Sequence, residues 1–184
     1  MNDFTDSELI QRYTSGEKTA FDLLYKKYYR RLFGYCYRLL PERDAVEDIV
    51  QTVFIKAMES LHSLDKPELF YYWLFTIARN EVYSLFRSNK KNGTGEVSEE
   101  AMDPETPHDR FVQSETAVMV EEGLNKLKPE YREVLILRQY EKLSYAEIAA
   151  ITGATISSVE SRLFKARKAL MKYLEPYIHE RGVR

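Results

Sequence analysis

Apolar side chains recur along most of this chain at the 3.6-residue period of an α-helix, and alternation at period 2 is absent. The clearest case is Val46, Ile49, Val50, Val53, Phe54, Ala57, Met58 and Leu61, which fall at i, i+3, i+4 and i+7 and predict a helix from Asp44 to about His62. Glu47, Asp48, Gln51, Thr52, Lys56 and Glu59 fill the opposite, polar face. Asp6-Ser-Glu8 starts an earlier helix that ends near Gly16, and Thr19-Ala-Phe21 opens a second that runs to about Leu40, where Pro41 closes it. A fourth runs from near Pro67 to about Ser88 without an interior Gly or Pro. It is rich in rings: Phe70, Tyr71, Tyr72, Trp73, Phe75, Tyr83 and Phe86. Phe70, Trp73 and Ile77 suit packing. Tyr72, Tyr83 and Phe86 instead alternate with Arg79, Asn80, Arg87, Lys90 and Lys91, a mixture that suits unstacked bases on a single-stranded backbone.

The last third carries a second signature. Ser144-x-x-Glu147 has the form of a capping box, in which each side chain accepts the other residue's backbone N–H, so a helix starts there. Ile148 and Ile151 give its apolar face, and Gly153 supplies the left-handed conformation that ends it. Thr155 or Ser157 then caps a longer helix with Val159, Leu163, Ala166 and Leu170 inward and Arg162, Lys165, Arg167, Lys168 and Lys172 outward. Short helix, tight turn and basic second helix make a helix-turn-helix, which places its second helix in a DNA major groove. The basic cluster is where phosphates would be neutralised.

Between these regions the helical period disappears. From Ser88 to Asp109 the chain is punctuated by Gly93, Gly95, Pro104 and Pro107, the pattern of an extended linker. Residues 96–122 hold nine acids and one base, a net charge of −8, whereas the whole chain carries −2. The remainder therefore sums to +6, so a nearly neutral chain contains two basic bodies and an acidic strap. With 184 residues, two small cores are affordable. The fold expected is all-α: two small helical domains, residues 1–91 and 113–184, joined by a flexible acidic linker over 92–112.

Other chemistries find no support. Cys36 is alone and suits a small buried hydrophobe, and His62, His108 and His179 have no partner at metal-ligand spacing, so neither a disulfide nor a zinc site is expected. Nucleophile–base pairs and glycine-rich phosphate loops are missing, so no enzyme activity and no cofactor are expected. No run of about eighteen apolar residues and no leader is visible, which points to a cytoplasmic location and not a membrane protein.

Three motifs in order, Asp44-Ala-Val-Glu-Asp48-Ile-Val-Gln51-Thr-Val-Phe54, Phe70-Tyr-Tyr-Trp73-Leu-Phe-Thr-Ile77-Ala-Arg79-Asn80 and the late helix-turn-helix, resemble a bacterial extracytoplasmic-function sigma factor of the sigma-70 family. The resemblance covers nearly all of the chain outside the linker. It implies that the N-terminal domain is sigma region 2, the C-terminal domain sigma region 4, and the partners core RNA polymerase and promoter DNA. The beta-prime clamp helices would meet Glu47, Asp48, Gln51 and Thr52, and the beta flap would meet the C-terminal domain. Lys66, Tyr72, Arg79, Asn80, Tyr83 and Arg87 would hold the minus-10 element, the loop Ser63–Leu69 capturing a flipped base. Thr155, Ser157, Ser158, Ser161, Arg162, Lys165 and Arg167 would meet the minus-35 element. Many such factors are held inactive by an anti-sigma factor, a further implied partner.

Two places depart from the family pattern. The recognition helix carries Glu160 where a Lys is usual, which removes a phosphate contact and sets a carboxylate near DNA, to repel it or to accept from a cytosine amino group. The loop Asp65-Lys-Pro67 lacks the common Gly. The competing reading of the residues is a helix-turn-helix regulator that binds duplex DNA as a dimer, without polymerase.

Overall fold

The computed structural model describes residues 4–40, 43–91 and 115–180, and every regular element among them is helical. The first helix, α1 (Asp6–Thr14), starts from Thr5, whose hydroxyl accepts the Glu8 N–H while the Glu8 carboxylate accepts the Thr5 N–H at 2.7 Å. The N-cap thus lies one residue before Asp6. Gly16 turns the chain with φ of +106°, open to glycine at no steric cost. The second helix, α2 (Thr19–Leu39), and the third, α3 (Arg43–Ser60), pack antiparallel. Short 3-10 turns at Leu61–Ser63 and Pro67–Leu69 lead into α4 (Phe70–Lys91). The periodic stripe of α3 meets the core as anticipated at Val46, Val50, Val53, Phe54, Ala57 and Leu61. Met58 differs: it is 42% exposed, because the stripe is wider than the surface that α2 and α4 cover. Phe70 is buried, whereas Trp73 and Ile77 are only half-buried against the core edge. Cys36 is buried, and burial pushes its thiol up to about 12.

The C-terminal half contains α5 (Glu115–Asn125), α6 (Pro129–Gln139), α7 (Tyr145–Thr152) and α8 (Ile156–Glu180). Its core joins Leu124, Val134, Leu137, Ile148, Val159 and Leu163. Fully burying an aliphatic side chain contributes about 1.5–3 kcal/mol, so a handful of such residues sustains each half. Gly123 permits a close crossing of α5 over α8: a Cβ there would stand 2.6 Å from the Leu170 side chain. The acidic run is not all linker, since Glu115, Glu121 and Glu122 lie on α5. The expected linker, 92–112, lies outside the described residues.

The two halves also touch. Helix α4 runs against α7, and α2 runs against α5 and α6, so residues far apart in sequence share one continuous buried cluster. Arg132, nearly buried on α6, fastens this seam. Its guanidinium donates to the carbonyls of Leu124 (2.8 Å) and Asn125 (2.7 Å) at the end of α5, and to that of Leu39 (3.0 Å) at the end of α2. These are helix-end acceptors, of which Leu124 O also takes the Leu127 N–H at 3.1 Å, and a planar five-donor fork can serve several at once.

Candidate nucleic-acid interface

Helix α3 turns a polar face to solvent. Glu47, Asp48 and Gln51 are exposed and Thr52 is half-buried at the face's edge. Beside them runs an open groove between α2 and α3, lined by Tyr25, Tyr29, Gln51, Phe54, Ile55 and Met58. Ile55 and Met58 are large apolar side chains exposed by 46% and 42%, and together with Tyr25 they give this surface an apolar patch with an acidic rim.

The residues assigned to strand binding on α4 split between two faces, which helical geometry dictates. Trp73, Ile77 and Asn80, at i, i+4 and i+7, line a shallow pocket with Lys56, His62 and Glu81, where Lys56 Nζ and the Glu81 carboxylate lie 2.6 Å apart. Lys66 is exposed in the turn that precedes Pro67–Leu69, and Arg87 is exposed further along the helix. Tyr72, Arg79 and Tyr83 point the other way, into the C-terminal half. The Tyr72 hydroxyl donates to the Glu147 carboxylate. Tyr83 donates to Glu133 Oε2 at 2.8 Å, and Tyr35 on α2 donates to Glu133 Oε1 at 2.9 Å. Arg79 Nε stands 3.0 Å from the same Oε1 with its N–H directed off the line, an ionic contact rather than a formed hydrogen bond. The Arg79 guanidinium also lies 4.5 Å over the Tyr83 ring.

Glu133 is completely buried at the centre of this group. Burial pushes its carboxyl above the usual range, while Arg79, the two tyrosine hydroxyls and the charge of Arg162 oppose the rise. The same environment raises Tyr35 and Tyr83, mainly through burial and then through the neighbouring carboxylate. At Glu147 the balance reverses: the half-buried carboxylate is lowered, first by the Tyr72 hydrogen bond and then by its bonds from Ser144. A third carboxylate, Glu141, accepts from Tyr71 at 3.0 Å and pairs with Arg31 at 3.0 Å.

The helix-turn-helix forms as its residues anticipate. Ser144 caps α7 with the Glu147 carboxylate 2.7 Å from its N–H, and Gly153 takes φ of +66° at the turn. Thr155, not Ser157, caps α8 by accepting the Ser158 N–H at 3.2 Å. Val159, Leu163 and Ala166 are buried with Leu170 half-buried, which turns Ser157, Ser161, Lys165 and Arg167 outward. Ser158 and Arg162 are half-buried at the margin of that face, and Phe164 is 70% exposed beside it. Glu160 is exposed among the basic residues.

The sequence singled out α4, with Tyr71 as one ring among several, and α8, but not Glu133, Glu141, Arg132, Arg31 or Tyr35. The detectable signal was Glu133 itself, an acid directly before the apolar run Val134, Leu135, Ile136 and Leu137. An acid beside such a run is buried with partners.

The sigma-70 region 2 family model matches residues 24–92 and the sigma-70 region 4 model matches residues 117–170, on either side of residues 93–116. The RNA polymerase sigma-H factor of Pseudomonas aeruginosa is 31% identical, with 95% of this chain and 96% of that protein covered. The ECF RNA polymerase sigma-E factor of Escherichia coli K12 is 31% identical over the same shares, and the RNA polymerase sigma factor YlaC of Bacillus subtilis is 34% identical over 84% of this chain and 92% of its own. Among solved structures, the sigma factor RpoE from Bartonella quintana, in complex with the anti-sigma factor NepR, matches with a TM-score of 0.72 and 28% identity over 84% of this chain and 96% of that one. CnrH in complex with the cytosolic domain of CnrY matches with a TM-score of 0.70 and 28% identity, over 93% and 97%. The chain belongs to the sigma-70 family and is an RNA polymerase sigma factor of the extracytoplasmic-function group. Among the described residues no helix is long and apolar enough to cross a membrane.

Proposed function

We propose that residues 1–91 dock core polymerase and open the minus-10 element, that residues 113–184 read the minus-35 element, and that 92–112 tether the two. The observation that carries the docking role is the asymmetry of α3, whose apolar side is sealed in the core while Glu47, Asp48 and Gln51 are exposed beside the Ile55–Met58 patch. An acidic rim around an apolar centre suits a basic, partly apolar helical partner such as the beta-prime clamp helices.

Strand opening then proceeds by differential binding, without covalent chemistry, in the cytoplasm. A base stacked on an aromatic ring is stabilised by about 1–3 kcal/mol, comparable to the few kcal/mol that extruding one base costs. Trp73 and Asn80, with Lys66 in the adjoining turn, frame the pocket that would take an extruded base, and Tyr72, Arg79, Tyr83 and Arg87 would follow the strand. Ser157, Ser158, Ser161, Arg162, Lys165 and Arg167 would approach the upstream duplex, with Thr155 positioning the start of that helix. An anti-sigma partner is part of this reading, since one sigma factor of similar structure, RpoE from Bartonella quintana, is in complex with the anti-sigma factor NepR.

Core polymerase reconstituted with the chain should initiate from a bipartite promoter. Asp48→Arg should lower core binding by about thirtyfold or more, the scale of an interface hot spot, with its thermal melt unchanged, as an exposed site allows. Full transcription by that variant would remove α3 from the docking role.

A further inference from the structure

We propose that the shallow pocket between α3 and α4 selects an extruded base that carries an exocyclic amino group and discriminates against thymine, the one base without such a group, with the Glu81 carboxylate as the deciding acceptor. The inference rests on the reading of this pocket as the place where an extruded base enters, and adds to it the chemistry of the base.

Counting what each polar group of the lining has left to offer gives a wall of acceptors. Ser60 and Ser63 line the pocket, and each hydroxyl has one hydrogen, already spent: Ser60 Oγ donates to the Lys56 carbonyl, and Ser63 Oγ donates to the Ser60 carbonyl at 2.7 Å. Lone pairs are what these two hydroxyls can still present. Lys56, the one lysine or arginine of the lining, is held on Glu81 Oε1 at 2.6 Å. Among the described residues no other hydrogen bond reaches the half-buried Glu81 carboxylate, so its second oxygen is fixed in place by the pair with Lys56 and still able to accept. Glu59 adds a second carboxylate. Two carboxylates against one ammonium disfavour a phosphate and a base carbonyl alike. The Asn80 amide, like a neutral His62 imidazole, offers both a donor and an acceptor and so serves any base. A base that enters must therefore bring donors of its own. Cytosine, adenine and guanine do so through an amino group, and a carboxylate accepting from the cytosine amino group is a known base-reading pair. Thymine brings one ring N–H and two carbonyl oxygens, which meet acceptors. Half-buried Trp73 supplies a ring on which any base can stack, so affinity and choice come from different walls of the same pocket.

The test uses the full chain on core polymerase and a pool of promoter-length duplexes, randomised upstream and within a mismatched, unpaired bubble. Sequencing of the captured fraction should show one bubble position at which thymine is depleted about tenfold against cytosine, the scale of one hydrogen bond to a charged acceptor. Glu81→Gln should erase most of that ratio, because an amide can donate to the thymine carbonyl as well as accept from an amino group. Modified bases at the same position make the test on the parent chain without any variant. Uracil, which lacks the thymine methyl but keeps its carbonyl, should be captured as poorly as thymine, and 5-methylcytosine as well as cytosine. The reverse pattern would show that the methyl group is read, and would overturn the inference. A bubble with no thymine-depleted position would overturn it too, as would a ratio that Glu81→Gln leaves intact. Asn80→Ala separates this inference from the reading beneath it, since it should lower capture of all bases together. If Asn80→Ala leaves capture untouched, the pocket is not where a base enters and the role proposed for α4 falls with the inference. If it lowers capture while thymine is taken as readily as cytosine, the inference alone fails.

Discussion

Helices α3 and α4 belong to the same domain, and each carries a polar face, yet the two faces meet opposite surroundings. On α3, Glu47, Asp48 and Gln51 look into solvent. On α4, Tyr72, Arg79 and Tyr83 look into the other half of the chain and are engaged by Glu147 and Glu133. The difference follows from chemistry. Tyrosine hydroxyls bonded to carboxylates can be buried, because each finds a charged acceptor and the rings add apolar area, while the Arg79 guanidinium is held by the charge of Glu133 and the face of the Tyr83 ring. The acidic and amide face of α3 is instead exposed. The surfaces proposed for partner binding and for strand binding thus differ in availability within one molecule.

The contrast breaks most severely if the seam is damaged. Arg132→Met keeps the length of the side chain but strips the carbonyls of Asn125 and Leu39 of the guanidinium and leaves that of Leu124 with the Leu127 N–H alone. Each buried acceptor left unpaired costs about 1–3 kcal/mol, so a loss of roughly 3 kcal/mol is expected in a denaturant titration of the full chain. A loss under about 1 kcal/mol would show that water replaces the guanidinium there and that the seam is not tight.

Acidity should sharpen the contrast by a smaller amount, with two signs in two pH windows. The Glu133 carboxyl is raised by burial, so the chain with its halves packed holds its proton more tightly than an unfolded chain does. The stability tied to that proton is complete below the ordinary carboxylate value of 4.5 and is lost as pH rises through the raised value. Glu121, raised by burial on α5, acts in the same direction. The groups facing Glu133 are Tyr35 from α2, Arg79 and Tyr83 from α4, and Arg162 from α8, and none of them reverses the sign. Glu147 is lowered, so its contribution is complete above 4.5 and is lost as pH falls through its lowered value. Scattering from the chain should therefore show the packing of the two halves strengthening from neutral pH down toward 4.5 and weakening below it. A monotonic loss of compaction from pH 7 downward would contradict the burial of Glu133.

The smallest expected effect lies on α8. Arg162→Ala should reduce the salt slope of upstream-duplex binding by about one unit, the loss of one phosphate contact. Lys165→Ala, exposed and distant from the seam in charge, should do the same without altering compaction. An unchanged slope for Arg162→Ala would confine that residue to Glu133 and the seam.

How far the sequence foretold this arrangement depends on what each element needed from elsewhere. Local rules sufficed for α7 and the start of α8, because a capping box, an αL glycine and a Thr cap are complete within a dozen residues. They sufficed for most of α3 too, where period and burial agree, and erred at Met58 because a stripe says which side faces inward but not how wide the covering surface is. Tyr72, Tyr83 and Arg79 were marked as unusual by composition alone. What composition could not disclose is that their partners sit 75, 50 and 54 residues away on α7 and α6. A tyrosine beside an arginine looks alike whether it awaits a base or already holds a glutamate. Only Glu133, an acid directly before an apolar run, carried a local hint of that second possibility.

Hydroxyl-radical footprinting reads side-chain exposure at the residues that separate the two faces, and is best done on the full chain alone and then bound to core polymerase without DNA. The account predicts that Tyr72 and Tyr83 are less reactive than Met58 in the free chain, and that Met58 becomes protected on core. Tyrosines as reactive as Met58 before core is added, or a Met58 that stays reactive after core binds, would contradict the claim that the α3 face is open for docking while the α4 tyrosines are engaged within the chain.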